Sequence, residues 1–416
     1  MRRRRSVRPE SSALPANNIV NARIVNARQD VLGCRRRIGG AGASSARRVF
    51  TDAEMTTVSK LKFLPRLESL RGVAAVSVVA YHVFGQFSDT NVTGMAPVVM
   101  FFVLSGFVLA RSLANNADPV RFFRHRLFRL FPAAISTVLL LTFLYFKFGF
   151  FVGFPGQFDP INVVLNALMI RHDINGVMWS MTVECFATPL ILLAFWTSAR
   201  WGALPLQITI PVLFALSSVG PYVHLLGGFT SLAPLYAFVA GVLVHVRGRS
   251  FVEKLGPGMC WFLAFVAVAL FCWCGVKKQG AILIALECSS SVLLVALIAF
   301  RGSIGLFRIL DVPIVGFYGR ISYSFYLLHM IGVAVALRIF KAASLQPGVA
   351  LSVIAAVAIT TPIAWLSWRL VERPFIALGR RFDTALSRPL QTDESVLERQ
   401  RHEGGLSEVP VGRRRR

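Results

Sequence analysis

From residue 69 onward the chain is a succession of apolar runs broken by short polar and basic segments. Ten runs reach the ~20 residues that cross a hydrocarbon core, near 69–88, 95–114, 131–152, 178–198, 203–221, 230–247, 258–275, 280–300, 319–341 and 350–371. The stretch 160–170 is apolar but too short to cross, and reads as a surface or re-entrant piece. Strands of alternating polarity, which would mark an outer-membrane barrel, do not appear in the sequence. The pattern predicts an all-α polytopic membrane protein of about ten transmembrane helices.

Composition agrees: 55% of residues are hydrophobic and 16% charged, more apolar and less charged than a soluble globular protein. The formal net charge of +25 would fit a nucleic-acid binder. Its placement in tails and alternate loops instead fits topology-setting charge, so no nucleic-acid partner is expected. Six of the 45 Lys and Arg (Lys147, Arg171, Lys277, Lys278, Arg338 and Lys341) fall outside if both termini are cytoplasmic. The loop from Arg111 to Arg129 holds five on the inner side, and the Lys277-Lys278 pair is the one dissent. Residues 1–60 are Arg-rich and without helical apolar periodicity, a composition that reads as disordered. Their start, "MRRRRSVRPESSALPANN", lacks the apolar core of a secretory signal. Met55 opens "MTTVSKLKFLPRLESLRG", a natural short lead into the first span, and reads as an alternative start of synthesis. Residues 377–416 read as a charged cytoplasmic tail. The cysteines, Cys34, Cys185, Cys260, Cys272, Cys274 and Cys288, read as packing residues, and Cys272-Trp-Cys274 lacks a zinc-like spacing, so no metal site is expected.

Four polar constellations interrupt the apolar background. In "LESLRGVAAVSVVAYHVFGQF", Arg71 and His82 are eleven residues apart and project from one helix face with a rise of about 16 Å. Arg71 on its own reads as an interfacial, snorkelling side chain. His82 lies near mid-membrane, where ionisable groups line cavities or pathways. In "VRFFRHRLFRLFPA", Arg126 and Arg129 share a face; they are either ordinary inner-side charge or a bidentate clamp for phosphates. In "NGVMWSMTVECFATPL", Glu184 lies at a depth similar to His82, its candidate partner, and Trp179 sits at the outer interface. In "GRISYSFYLLHM", Tyr326 and His329 share a face with Tyr323 nearby, and His329 reads also as a hydrogen-bonded core histidine. Ser105 in "FFVLSGFVL" reads as a small packing residue beside Gly106, and Glu287 as structural. "WRLVERPF" reads as helix-end charge and a stop at Pro374. Together these residues predict a polar tunnel from an arginine-rich cytoplasmic mouth to a His82/Glu184 pair within the membrane.

The series "LESLRGVAAVSVVAYH", "FFVLSGFVL", "RLFR", "WSMTVE" and "ISYSFYLLH" resembles the motifs of the acyltransferase 3 family of integral-membrane acyltransferases over roughly residues 64–376. The resemblance implies a ten-span core that transfers an acyl group, often acetyl from acetyl-CoA, to hydroxyls of glycans, lipids or small molecules. It implies that His82 is the essential histidine and Arg71 its basic partner, that Arg126 and Arg129 bind the acyl donor, and that Glu184 is the acid of the tryptophan-serine motif. Trp179, Tyr326 and His329 are then the acceptor-side candidates. Met181 stands where many similar proteins have leucine, and the hydrolase-like domain that some carry after the last span is not expected in 377–416.

The mechanism expected from this combination has acyl-CoA as co-substrate, with no bound cofactor. Arg71, Arg126 and Arg129 would hold its phosphates, while His82 removes the proton of an acceptor hydroxyl and Glu184 steadies the imidazolium. Direct attack and a covalent acyl-enzyme both remain compatible with the residues. The alternative is a proton-coupled carrier of a small polar solute, which would also need a histidine–acid pair in ten spans. The expected location is a bacterial inner membrane.

Overall fold

The computed structural model describes residues 64–87, 95–152, 158–219, 234–275, 277 and 280–386. The whole basic lead 1–60, with Cys34 and Met55, and the tail beyond residue 386 lie outside the described residues. The elements are α1 (Pro65–Phe87), α2 (Met95–Asn115), α3 (Pro119–Phe148), α4 (Pro160–Ala167), α5 (Trp179–Trp201), α6 (Leu204–Val219), α7 (Tyr236–Glu253), α8 (Pro257–Gly275), α9 (Ala281–Phe300), α10 (Pro313–Ala342), α11 (Val349–Ser367) and α12 (Arg373–Leu386). Short 3-10 turns at Gly176–Met178 and Gly305–Asp311 lead into α5 and α10. Among the described residues eight helical segments are long and apolar enough to span a membrane. α6 is a further, shorter apolar helix, while α7, with Arg247, Arg249 and Glu253 in its last turns, is not among the eight, so the described residues give fewer spans than the ten expected. Large apolar side chains such as Phe146, Phe265, Ile282 and Ile354 point outward, as they do where the surroundings are hydrocarbon rather than water.

Two close helix contacts organise the bundle. α1 packs along α10, which also packs on α11; α2 packs along α7, and α9 lies against both. A Cβ on Gly72 would overlap the α10 backbone at Gly319, and one on Gly319 would overlap the α1 backbone at Glu68. Gly106 and Gly241 do the same for α2 and α7, where a methyl on either would overlap the carbonyl of Phe238 or Val103. Lipid supplies no hydrophobic drive to bring helices together, so the backbone approach that small residues permit is a main source of attraction. The close approach expected at Gly106 is therefore found.

α3 begins twelve residues before the expected span. Asp118 caps it by accepting from the Val120 N–H at 2.9 Å, Pro119 occupies the first turn, and Gly149 at φ +61° closes it. The arginine cluster therefore rides on the same rigid helix as the span, interrupted only by Pro132. α4 is one short amphipathic segment that exposes Ile161 and Val164, and so is a surface piece.

The end of the last span departs from the sequence reading. Pro374 was expected to stop the helix, but a π turn at Trp368–Glu372 carries α11 directly into α12. A proline ring clashes with the carbonyl four residues back and removes an N–H; the wider π turn accommodates both. Residues 377–386, expected in the tail, thus continue the helix. Glu372, expected as helix-end charge, is buried and accepts from Ser324 Oγ at 2.7 Å.

Candidate active site

Two cavities lie in line at the arginine-bearing end of the bundle. The outer one, the mouth, encloses about 390 Å³ and is lined by the C-terminal end of α2, the first turns of α3, and Ile376 and Arg380 of α12. Arg71, Arg121, Arg126, Arg129 and Arg380 give it its charge, and His125 adds an imidazole. The inner cavity is only about 40 Å³ and is lined among others by Phe101, Ser105, Ser180, Glu184, Tyr323 and Tyr326. Arg71 and Arg129 line both, so these two side chains form a wall that the two spaces share.

Glu184 is the one acidic residue among the described residues lining either cavity. Its Oε1 accepts from Ser105 Oγ at 2.7 Å and stands 2.8 Å from Arg126 Nη2. The Arg126 contact is a close ion pair whose N–H is not aligned as a hydrogen bond. Both partners are buried, at 8% and 11% side-chain exposure, so solvent screens their attraction weakly. α3 and α5 are thereby tied at the depth of Ser105 on α2. The pairing expected between Glu184 and His82 is not formed: the carboxylate is committed to Ser105 and Arg126, which three different helices bring to the cavity wall. Ser105, read from sequence as packing, is thus a polar member of the site. The signal for it is its place on an apolar helix with no other partner for a buried hydroxyl.

The opposite wall comes from α10. Tyr326 Oη lies 2.8 Å from Ser180 Oγ and 3.1 Å from the Val177 carbonyl, while Tyr323 donates to the Leu130 carbonyl at 2.8 Å. These bonds fasten α10 to the start of α5 and to α3. Asn175 donates to the Leu327 carbonyl at 2.8 Å and secures the segment before α5 to the same helix.

His82 lies beyond this wall and does not line either cavity. Its ring packs on that of His329, centroids 5.1 Å apart at 33°, and His329 in turn packs on Tyr326 at 5.6 Å. His329 is fully buried behind Tyr326, so of the two α10 residues expected on the acceptor side only Tyr326 faces a cavity. Trp179 is also off the cavity: it meets Phe102 edge-on at 6.3 Å, and the neighbouring Ser180 takes the lining position instead. The expected tunnel to a His82/Glu184 pair is not formed: the inner cavity reaches Glu184 and Tyr326, and His82 of α1 lies one layer further, against His329.

A second cluster was not visible in sequence. Asp383 of α12 meets three basic side chains of α3: Arg121 Nε at 2.9 Å, His125 Nε2 at 2.5 Å, and Arg124. The carboxylate joins the mouth of the outer cavity to the helix that roofs it. Five cysteines are described, Cys185, Cys260, Cys272, Cys274 and Cys288, all as free thiols.

A family model described as an acyltransferase domain matches residues 64–369. Curated relatives include the exopolysaccharide production protein ExoZ of Rhizobium meliloti, 27% identical over 303 residues, which are 69% of this chain and 91% of that protein. The acyltransferase MdmB of Streptomyces mycarofaciens is 35% identical over 95 residues, 20% of this chain and 24% of that one. The O-acetyltransferase OatA of Staphylococcus aureus is 33% identical over 94 residues, 21% of this chain and 15% of that one. The chain thus spans nearly all of ExoZ but only about a quarter or less of MdmB and OatA. No solved structure matches. With the match covering well over half of its residues, this chain belongs to the acyltransferase 3 family of membrane acyltransferases.

Proposed function

We propose that this membrane acyltransferase takes its acyl group, acetyl in the first instance, from acyl-CoA on the cytoplasmic side and passes it to a hydroxyl of a glycan, a lipid-linked sugar or another hydroxylated acceptor. The observation that carries the reading is the arginine-lined mouth and the pair Arg71 and Arg129 that it shares with the inner cavity. A mouth with five arginines and a histidine suits the phosphates of a CoA, since guanidinium forks bind phosphate bidentately. The pantetheine arm is narrow and neutral and suits the passage between Arg71 and Arg129. The inner cavity holds only water-sized groups as it stands, so the thioester would part its walls of Phe101, Ser105 and Tyr326 on arrival. Glu184 fixes the Arg126 end of the donor site, and His82 acts as general base on the acceptor hydroxyl. An O-acetyltransferase and an exopolysaccharide protein among the relatives favour acetyl transfer to a carbohydrate. They also favour a bacterial inner membrane as the location. Membership of an acyltransferase family weighs against the proton-coupled carrier.

The test is release of free CoA from acetyl-CoA by purified protein in nanodiscs, with a cell-envelope glycan extract as acceptor. Wild type is expected to release CoA, and His82→Ala to lose the activity by about 10²-fold or more. Arg129→Ala is expected to raise KM for acetyl-CoA roughly tenfold or more, the worth of a charge-assisted hydrogen bond. CoA release by folded His82→Ala at the wild-type rate would refute the general-base assignment. An unchanged KM in Arg129→Ala would refute the donor site.

A further inference from the structure

His329 is a buried imidazole with one nitrogen engaged and one bare. Its Nδ1 stands 2.5 Å from the Tyr326 carbonyl. A carbonyl can only accept, so Nδ1 carries the proton and Nε2 is left as a lone pair. No donor reaches Nε2 in this geometry, although the residue is fully buried. A buried polar atom without a partner is destabilising and calls for a reason. The group packed against this ring is His82, at a centroid separation of 5.1 Å. Two imidazoles joined by a single in-plane N–H···N bond of about 2.9 Å have centres roughly 5 Å apart. The observed separation is compatible with such a bond, which from the 33° tilt between the rings needs the His82 ring to turn towards Nε2. Histidine χ2 is broad, so that turn costs little.

We propose that His329 is the positioning residue for His82, accepting on Nε2 one ring N–H of His82 and so leaving the other His82 nitrogen unprotonated towards the acceptor hydroxyl. This rests on the reading of His82 as the general base. In the transfer step the acceptor O–H bond breaks and its proton goes to the free nitrogen of His82, while the acceptor oxygen bonds the thioester carbon and CoA leaves as thiolate. His82, now an imidazolium, keeps its N–H···Nε2 bond to His329, which steadies the new charge and fixes the ring. His329 stays neutral throughout, its own N–H held by the Tyr326 carbonyl. The function that a carboxylate serves beside a catalytic histidine elsewhere is here served by a tautomer-locked imidazole, because the nearby carboxylate, Glu184, is bound to Ser105 and Arg126.

Two near-isosteric variants separate this role from packing. His329→Gln can place its amide oxygen near the Nε2 position and so keeps an acceptor for His82. His329→Asn can keep an N–H for the Tyr326 carbonyl but has nothing at the Nε2 position. CoA release would be measured in nanodiscs for both, beside wild type and His82→Ala, with folding followed by the thermal melt. The expected result is that His329→Gln keeps kcat within about tenfold, while His329→Asn loses about 10²-fold or more in kcat with KM for acetyl-CoA unchanged. Equal losses in the two variants, or a loss confined to KM or to the melt, would overturn the positioning role. If His82→Ala is inactive while His329→Asn has full kcat, the positioning role fails and the general-base reading survives. If His82→Ala is itself fully active, the reading beneath the proposal fails as well.

Discussion

The buried Arg126–Glu184 pair gives the sharpest energetic test of the site. Removing only the carboxylate, as in Glu184→Gln, keeps volume and leaves the Ser105 bond possible. It strands a guanidinium that is 8% exposed, without the charge that offsets its desolvation. Breaking a buried pair from one side costs about 3–5 kcal/mol, against about 0–1 kcal/mol for a solvent-exposed pair. Arg126→Met should cost a comparable amount from the other side by stranding the carboxylate. The double variant strands neither charge, so its loss should be well below the sum of the two, with a coupling of at least about 2 kcal/mol. The assay is a double-variant cycle on unfolding midpoints in mixed micelles titrated with SDS. A coupling under about 0.5 kcal/mol would mean that Arg126 and Glu184 are independent, and the account of the cavity wall would be wrong.

Gly106→Ala should abolish monodisperse protein in detergent gel filtration, since the added methyl overlaps the Phe238 carbonyl of α7; Gly348→Ala, where a Cβ meets nothing within 4 Å, is the matched control and should behave as wild type. Asp311 hydrogen-bonds Arg66 at 2.6 Å, and that bond holds its carboxyl below the usual carboxylate range. A depressed folded pKa contributes stability that is complete above the unfolded pKa of about 3.9 and fades as pH falls through the folded value. Wild type should therefore lose stability relative to Arg66→Ala on acidification below about pH 4, and parallel pH–stability curves for the two would contradict the contact. Asp383→Asn should lower the thermal midpoint by releasing α12 from Arg121, Arg124 and His125; an unchanged midpoint would show that the cluster does not hold α12.

The helices were legible because each apolar run has to satisfy its own backbone in lipid, which leaves helix as the available form. The individual residues of the site were legible too, since an ionisable side chain in such a run stands out. Their partners were not. Glu184 was matched to His82 on depth, but depth fixes only one coordinate; the azimuth of α5 turns Glu184 towards Ser105 and Arg126. His329 and His82, on helices joined by the Gly72–Gly319 contact, meet because those two glycines let α1 and α10 touch. A sequence gives no register between helices separated by more than two hundred residues. The continuation past Pro374 was also hidden, because a π turn leaves no compositional mark distinct from the α-helix on either side.

The wall of Arg71 and Arg129 that the two cavities share also bears on leakage. A protein that opens a passage from an aqueous mouth deep into a bilayer risks discharging the ion gradients its membrane maintains. Two guanidinium groups at the narrowest point set an electrostatic barrier against sodium, potassium and hydronium, as fixed positive charge does in pores that exclude cations. The same pair attracts an anionic guest. The shared wall would thus select by sign: under the proposed function it would yield to a polyphosphate-bearing molecule while staying shut to the cations whose gradients energise the cell.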